Sequence, residues 1–195
     1  MKAVLSTGNL LCAFLFMFVL MFAGFSVIPF ISPYMVANVG LKETDLPYLY
    51  LFGGLATAFS SRYIGKLADK HGKKPVFTAI ALISLIPLLI TTNLPPVPVW
   101  VAICASVIFM VFVSGRFVPA MALVISSVQP RFRGGFMSIN AAIQQLGLGL
   151  ASLMSGFIIG HAADGTLTHY WLTGLIAVAA TLVTIALAWR VKPVS

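Results

Sequence analysis

Residues 65–75 read GKLADKHGKKP, and a long apolar run lies on either side of them, at residues 46–64 and 75–90. A short basic segment between two apolar runs is typical of a loop that joins two membrane-spanning helices. Composition points the same way, because 60% of the residues are apolar and only 8% are charged, whereas about 25% are charged in an ordinary soluble domain. The chain is therefore predicted to be an integral membrane protein.

The apolar runs predict an all-α, polytopic fold. A bilayer span needs about 20 mostly apolar residues, and the runs lack the period-two alternation of a membrane β-barrel. Six transmembrane helices are predicted, at residues 9–38, 46–64, 75–90, 97–128, 134–160 and 168–189. None of the connections is long enough for a folded domain, so residues 1–195 are expected to form a single six-helix transmembrane domain.

The basic residues predict the orientation. Most of the 12 Lys and Arg residues lie before the first run, after the last run, or in the second and fourth connections. Lys42 lies at the opposite end, together with Glu43, Asp45 and Asp164. Because Lys and Arg are enriched on the cytoplasmic side of membrane proteins, both termini are expected to be cytoplasmic. The net charge of +8 then reflects topology, and no nucleic-acid partner is expected.

The segment 65–75 resembles the loop signature of the major facilitator superfamily. Those transporters carry G-x-L-x-D-[RK]-x-G-[RK]-[RK] in the cytoplasmic loop between spans two and three, and every fixed position is filled here. The resemblance implies a latch that holds two half-bundles together on the cytoplasmic side when the transport cavity faces outward. The latch residues that it implies are Gly65, Asp69, Lys70, Gly72, Lys73 and Lys74. The plainer alternative is that the lysines only fix the topology.

Members of the superfamily commonly have twelve spans in two six-span halves, so this chain resembles one half. Residues 24–34 resemble the seventh span of a drug-efflux-like branch, residues 114–120 and 130–134 the tenth span and its loop, and residues 144–149 an eleventh span. These likenesses favour the C-terminal half, whereas a complete loop signature is more typical of the first half. The resemblance also implies an inverted repeat of three plus three helices and a bacterial inner membrane.

Arg116 is the only ionisable side chain deep within an apolar run. An unpaired charge at that depth costs at least about 2.5 kcal/mol, so Arg116 should face a watery cavity or a polar partner. One interpretation is that it binds an anionic group of a substrate or a carboxylate on a second half. The alternative is that it bonds to helix-end carbonyls or extends towards the cytoplasm.

Further polar and aromatic residues are candidates for the transport pathway. Besides Arg116 they are Asn140, Gln144, Gln145, Phe25 and Tyr34. The amides equally suit helix–helix contacts, and the aromatic rings equally suit contacts with lipid. Prolines that bend a helix and glycines that let helices approach closely are expected at Pro29, Pro33, Gly147, Gly149, Gly156 and Gly160.

The resemblance implies a secondary active transporter, half of an efflux-type facilitator, that moves a small molecule by alternating access. The aromatic residues favour a hydrophobic compound. Its cavity would form in the bilayer against a second six-span half, which is either a missing N-terminal half or another copy of the chain. Two alternatives stay open. One is a self-assembling, homodimeric transporter or channel, and the other is a truncated remnant without transport activity, which the short segment before Gly8 would suit.

Several other kinds of chemistry are not expected. The chain has no motif for ATP binding, metalloprotease chemistry or a catalytic triad, so no enzyme activity, catalytic residue or cofactor is predicted. His161 and His169 beside Asp164 suggest a metal only weakly, and no metal site is predicted. All four acidic residues lie in the predicted loops, so the chain alone lacks the buried carboxylate that proton coupling usually needs.

Overall fold

In the computed structural model, which describes residues 8–193, almost all of the chain is helical. The helices are α1 (Gly8–Phe25), α2 (Ile31–Tyr34), α3 (Leu46–His71), α4 (Lys73–Thr92), α5 (Val99–Gly115), α6 (Phe117–Ser126), α7 (Arg133–Ile158) and α8 (Tyr170–Arg190). Tighter or wider helical turns occupy Ile28–Phe30, Met35–Val39, Glu43–Asp45 and Pro130–Phe132. Two short antiparallel strands, β1 (Gly160–His161) and β2 (Leu167–Thr168), form a hairpin, which the all-α prediction did not include.

Five stretches of residues 8–193 are helical, long and apolar enough to cross a membrane. They are Gly8–Val39, Lys73–Thr92, Val99–Ser126, Pro130–Ile158 and Tyr170–Arg190. Each contains most of one predicted span, and the predicted ends differ by a few residues. Predicted spans one and four are each interrupted, because α1 ends at Phe25 and α5 ends at Gly115.

The predicted span at residues 46–64 forms the first part of α3, which has 26 residues. It is not among the five apolar stretches, since tyrosine, threonine and serine side chains interrupt its apolar ones. The prediction that this helix ends at Ile64 is wrong, because it continues through the basic segment to His71. Lysine, leucine and alanine are good helix formers. Asp69 consequently lies in the last turn of a helix and not in a loop.

A single residue, Gly72, joins α3 to α4. Its φ of 93° is a left-handed backbone value that glycine adopts without the steric cost a Cβ would bring. Its N–H donates to the carbonyl of Ala68 at 3.0 Å, which closes the last turn of α3. Pro75 follows in the first turn of α4, where an N–H would lack a helical partner anyway.

Two helices, α1 and α5, hold equivalent places in the bundle. The α1 helix packs on α7 and α8, and α5 packs on α3 and α4, while α4 also packs on α8. If spans one, two and three exchange places with spans four, five and six, in that order, the same pairs of positions in the bundle remain in contact. Aromatic pairs fill the contacts of α1, with Phe14 stacked on Phe136 of α7 at 4.6 Å between ring centroids, and Phe16 edge-on to Phe77 of α4 at 5.1 Å.

The α1–α7 contact depends on one glycine. A Cβ at Gly147 would lie 2.7 Å from the carbonyl oxygen of Phe18, which is backbone and cannot swing aside. Gly149 faces open space, and a Cβ at Gly156 would meet only Phe30 at 4.0 Å, so neither brings two described helices together. The prediction that the fifth span extends to Gly160 is wrong, because α7 ends at Ile158 and Gly160 lies in β1.

The β-hairpin closes the end of the bundle opposite to Gly72. Asp164 accepts hydrogen bonds from the backbone N–H and the hydroxyl of Thr166, and these bonds lower the pKa of its carboxyl group. Asn38 at the end of the first span pairs with the backbone of Leu167, giving and receiving one bond at 2.9 Å each. His169, with a φ of 62°, then turns the chain into α8, which begins two residues later than predicted.

Alanine substitutions at Gly147 and Gly149 of α7 provide a matched pair. Gly147→Ala should lower the free energy of unfolding by about 1–3 kcal/mol, since it forces α7 away from α1. Gly149→Ala should raise it by up to about 1 kcal/mol, because alanine is the better helix former and the space is open. Unfolding in mixed micelles titrated with dodecyl sulfate measures both. Equal effects of the two substitutions would contradict the close α1–α7 contact.

Candidate functional site

The first span is broken where it borders the candidate site. Pro29 has no N–H and cannot donate to Phe25, four residues earlier. Phe30 donates to Val27, three residues back, at 3.1 Å, so the carbonyl of Ser26 is released from the α-helical pattern. A released carbonyl must find another donor inside a membrane, because no water is present there.

Two side-chain hydroxyls from neighbouring helices meet the carbonyls at this break. Ser155 of α7 donates to the carbonyl of Ser26 at 2.7 Å, and Tyr170 of α8 donates to that of Val27 at 3.0 Å. Both hydroxyls are buried. The break is thus a fixed part of the structure, and it positions Gly24 and Phe25 on one wall of a cavity.

Arg116 lies in the interruption between α5 and α6 and is only 1% exposed. Its Nη1 donates to the hydroxyl of Thr181 on α8 at 2.7 Å, and that hydroxyl donates in turn to the carbonyl of Ala177 at 2.7 Å. Within residues 8–193, Nε and Nη2 of Arg116 have no hydrogen-bond partner. The guanidinium group is therefore held on one side and unsatisfied on the other.

A cavity of about 270 Å³ lies between α1 and the α5–α6 interruption, and Arg116 forms part of its wall. Gly24, Phe25 and Ile28 contribute from the first span, and Val113, Ser114 and Phe117 from the other side. The rest of the lining is mostly apolar, so the cavity combines apolar walls with one buried cation. Arg116 and Phe25 are the two predicted pathway residues that the structure brings together here.

The remaining pathway candidates lie elsewhere. Tyr34, a candidate for the pathway, is buried; its hydroxyl donates to the carbonyl of Leu94 at 3.1 Å, and its ring packs on Tyr170. Asn140 is fully buried on α7, and neither amide atom has a partner within the described part of the chain. Gln144 is half-buried and Gln145 is exposed.

Tyr34 is thus part of the helix core, because its ring and its hydroxyl both contact other parts of the protein.

The two predicted prolines lie next to the break in the first span. Pro29 lies in the tight turn after α1, and Pro33 lies in the short helix α2. Across residues 8–193, no three His, Cys, Asp or Glu side chains are grouped closely enough to hold a metal ion.

The loop-signature residues lie at the end of the bundle where α3, α4, α6 and α8 meet. A cavity of about 480 Å³ there is lined by Asp69 and Lys74 together with Ser126 and Trp189. Lys74 donates to the carbonyl of Trp189 at 3.0 Å, which satisfies the C-terminal end of α8. Asp69 is exposed, so its carboxylate is available to a group outside the six-helix bundle.

A comparison with protein families matches residues 13–195 to the Major Facilitator Superfamily. The chain belongs to that superfamily. It is therefore an integral membrane protein from a family of membrane transporters, and the resemblance of the loop at residues 65–75 is confirmed at that level. A comparison with individually curated proteins gives no match.

The sequence did not point to three residues whose side chains form hydrogen bonds at the candidate site. Thr181, Ser155 and Tyr170 were not singled out, although each bonds to a group in or beside the cavity. A weak signal exists, since small and hydroxylated residues recur at helical spacing along the buried face of α8. They are Thr173, Gly174, Ala177, Thr181, Thr184 and Ala188.

Removing either hydroxyl at the break of the first span should destabilise the protein. Ser155→Ala leaves the buried carbonyl of Ser26 without its donor, which costs about 1–3 kcal/mol. Tyr170→Phe should cost less, about 0.5–1.5 kcal/mol, because the carbonyl of Val27 still accepts from the N–H of Phe30. Dodecyl sulfate unfolding in mixed micelles measures the loss, and Ser152→Ala, at a half-buried site on α7, serves as the control. Losses no larger than in the control would show that the break does not need these donors.

Thr181 and Thr184 allow a sharper test of the Arg116 environment. Both are fully buried on α8, but Thr184 bonds back to Thr181 of its own helix, whereas Thr181 accepts from Arg116. Thr181→Val should lower the free energy of unfolding by about 1.5–3 kcal/mol, the usual value of a hydrogen bond to a charged group. Thr184→Val should cost less, and the reverse order would contradict the assignment.

Proposed function

We propose that the chain is one half of an efflux-type facilitator, which moves a small molecule across a bacterial inner membrane by alternating access. The observation that carries the proposal is the buried Arg116, whose Nε and Nη2 are unpartnered within residues 8–193 beside the α1–α5 cavity. Intramembrane charges mark transport pathways by default, because lipid would not tolerate them otherwise. The aromatic ring of Phe25 in the same wall favours a substrate with a hydrophobic part.

The cavity would be closed by a second six-span unit, either an N-terminal half or another copy of the chain. The α7 helix supports this, since it contacts α1 closely but leaves large apolar side chains uncovered. They are Leu146, Leu150, Leu153 and Phe157. The predicted second span, at the start of α3, carries a similar uncovered surface, which includes Tyr48, Leu51, Phe52 and Phe59.

Alternating access needs a half-bundle that rocks as a unit around a site near the midplane. The equivalent places of α1 and α5 support an inverted repeat of three plus three helices, in which spans one and four face the cavity. Arg116 interrupts span four, and Pro29 follows the break in span one, so both cavity walls are discontinuous helices. Such helices form the binding sites of many transporters.

The orientation follows from where the basic residues gather. The loop-signature lysines, Arg190 and Lys192 lie at the same end of the bundle, because Lys74 contacts Trp189 and Asn9 pairs with the backbone of Lys192. The Lys and Arg bias supports the proposal that this end faces the cytoplasm. The exposed Asp69 carboxylate would then act as the latch towards the second unit.

The latch generates a direct test. Asp69→Asn should reduce transport several-fold without lowering the amount of protein in the membrane, because it removes the charge but keeps the shape. Extrusion of the dye N-phenyl-1-naphthylamine from energised membrane vesicles of the native cells, with and without the gene, measures transport. Glu43→Gln, a charge removal beside α3 at the opposite end, should leave the rate unchanged.

Unchanged extrusion in Asp69→Asn at equal abundance would overturn the latch role. Equal extrusion in vesicles with and without the gene, for this dye and for charged dyes, would overturn the transport proposal. It would favour the alternative of a chain without transport activity. Cross-linking between identical chains through cysteines placed on α7 would favour the homodimeric arrangement over a separate N-terminal half.

A further inference from the structure

We infer that the α1–α5 cavity binds an amphipathic organic anion, with the acid group on Arg116 and an apolar body along α3 and α5. The inference rests on the proposed function for the transport step, but binding can be measured without transport. It names a substrate class, namely a sulfonate or carboxylate on an aromatic or aliphatic body.

Among residues 8–193, no acidic side chain pairs with the charge at the cavity wall. Thr181 is neutral, so the hydrogen bond that it accepts from Arg116 leaves the positive charge uncompensated. A guanidinium group stays protonated and presents its N–H groups in a plane that suits two oxygens of an acid group. An acid group on Nε and Nη2 would satisfy both donors at once.

A second copy of this chain has no carboxylate to offer at this depth. The sequence has four acidic residues, and all lie at helix ends or in connections. They are Glu43 and Asp45 before α3, Asp69 in its last turn, and Asp164 in the hairpin. The anion must therefore come from a ligand or from a different six-span unit.

The surroundings of Arg116 specify an apolar body for the ligand. The 270 Å³ cavity shares Ile28 and Ser114 with a second cavity of about 430 Å³. That cavity extends over α3 and α5 between Tyr50, Phe109 and Met110. The two together reach the range of about 300–1,000 Å³ that is usual for small-molecule sites.

Gly24 lies beside Nη2 of Arg116 in the cavity wall. A Cβ at this position would lie 3.8 Å from Nη2 and 3.6 Å from Ile28, which are ordinary contact distances. A Cβ here is therefore compatible with folding. The γ-methyls of valine extend beyond that Cβ and would crowd the space beside Nη2, so the folded state of this variant has to be verified.

Two fluorescent probes with almost the same aromatic body test the inference. They are 8-anilino-1-naphthalenesulfonate, which is an anion, and N-phenyl-1-naphthylamine, which is neutral. The full chain in phosphatidylcholine nanodiscs is titrated with each, and empty nanodiscs give the background. The anion should bind more tightly than the neutral probe, because only its sulfonate satisfies Arg116.

Three variants separate charge from shape. Arg116→Gln and Gly24→Val should each weaken binding of the anion by about tenfold or more, the usual effect of losing a charged hydrogen bond. Arg116→Gln should leave the neutral probe within about twofold. Arg131→Gln, which removes the same charge from an exposed site, should leave both affinities unchanged. Size-exclusion profiles and helix content verify that each variant is folded.

Equal affinities for the two probes, or an equal loss of anion binding in Arg131→Gln and Arg116→Gln, would overturn the inference. So would retained anion binding in a folded Gly24→Val variant. If the anion binds in nanodiscs but not in native membranes, a partner unit present only there would be pairing its own carboxylate with Arg116. That result would also overturn the inference. Anion binding without any dye extrusion from vesicles would overturn the transport proposal and leave the binding site intact.

Discussion

The lack of water in the membrane interior is the constraint on which this structure depends. Every backbone carbonyl and every charge buried there must find a partner within the protein. The first span breaks after Phe25 and releases the carbonyl of Ser26, and hydroxyls of Ser155 and Tyr170 meet the carbonyls at the break. Because these donors belong to α7 and α8, the break also fixes how the two helices pack on α1.

The same constraint explains the composition of α8. Its threonine hydroxyls donate to carbonyls of their own helix. The helix surface therefore stays narrow, and these hydroxyl protons need no partner on a neighbouring helix. That surface lets Gly174 lie directly against Thr92 of α4, and it presents the Thr181 oxygen to Arg116. One helix therefore both holds the bundle together and restrains the charge in the cavity wall.

Much of the fold was predictable because membrane helices are encoded locally, by the length of apolar runs. The starts and ends of α4 and α7 fall within two residues of the predicted ones, and Arg116 stood out because a charge in an apolar run is rare. The sequence did not reveal that Tyr34 packs inward, that Gly149 and Gly156 touch no neighbouring helix closely, or that α3 extends to His71. Those outcomes depend on which helix face meets which neighbour.

By itself, the sequence determined the membrane location, the superfamily, the approximate helices and the one buried cation, since apolar length, charge bias and the loop signature are all local properties. Only the tertiary structure decided which residues surround that cation. Gly24 and Phe25 of the first span lie far from Arg116 and Thr181 in the chain, and the four come together because α1, α8 and the α5–α6 interruption converge. Which nitrogens of Arg116 stay unpartnered within residues 8–193 is set by that convergence, because Thr181 on one helix accepts from Nη1 and Gly24 on another offers no side chain to Nη2.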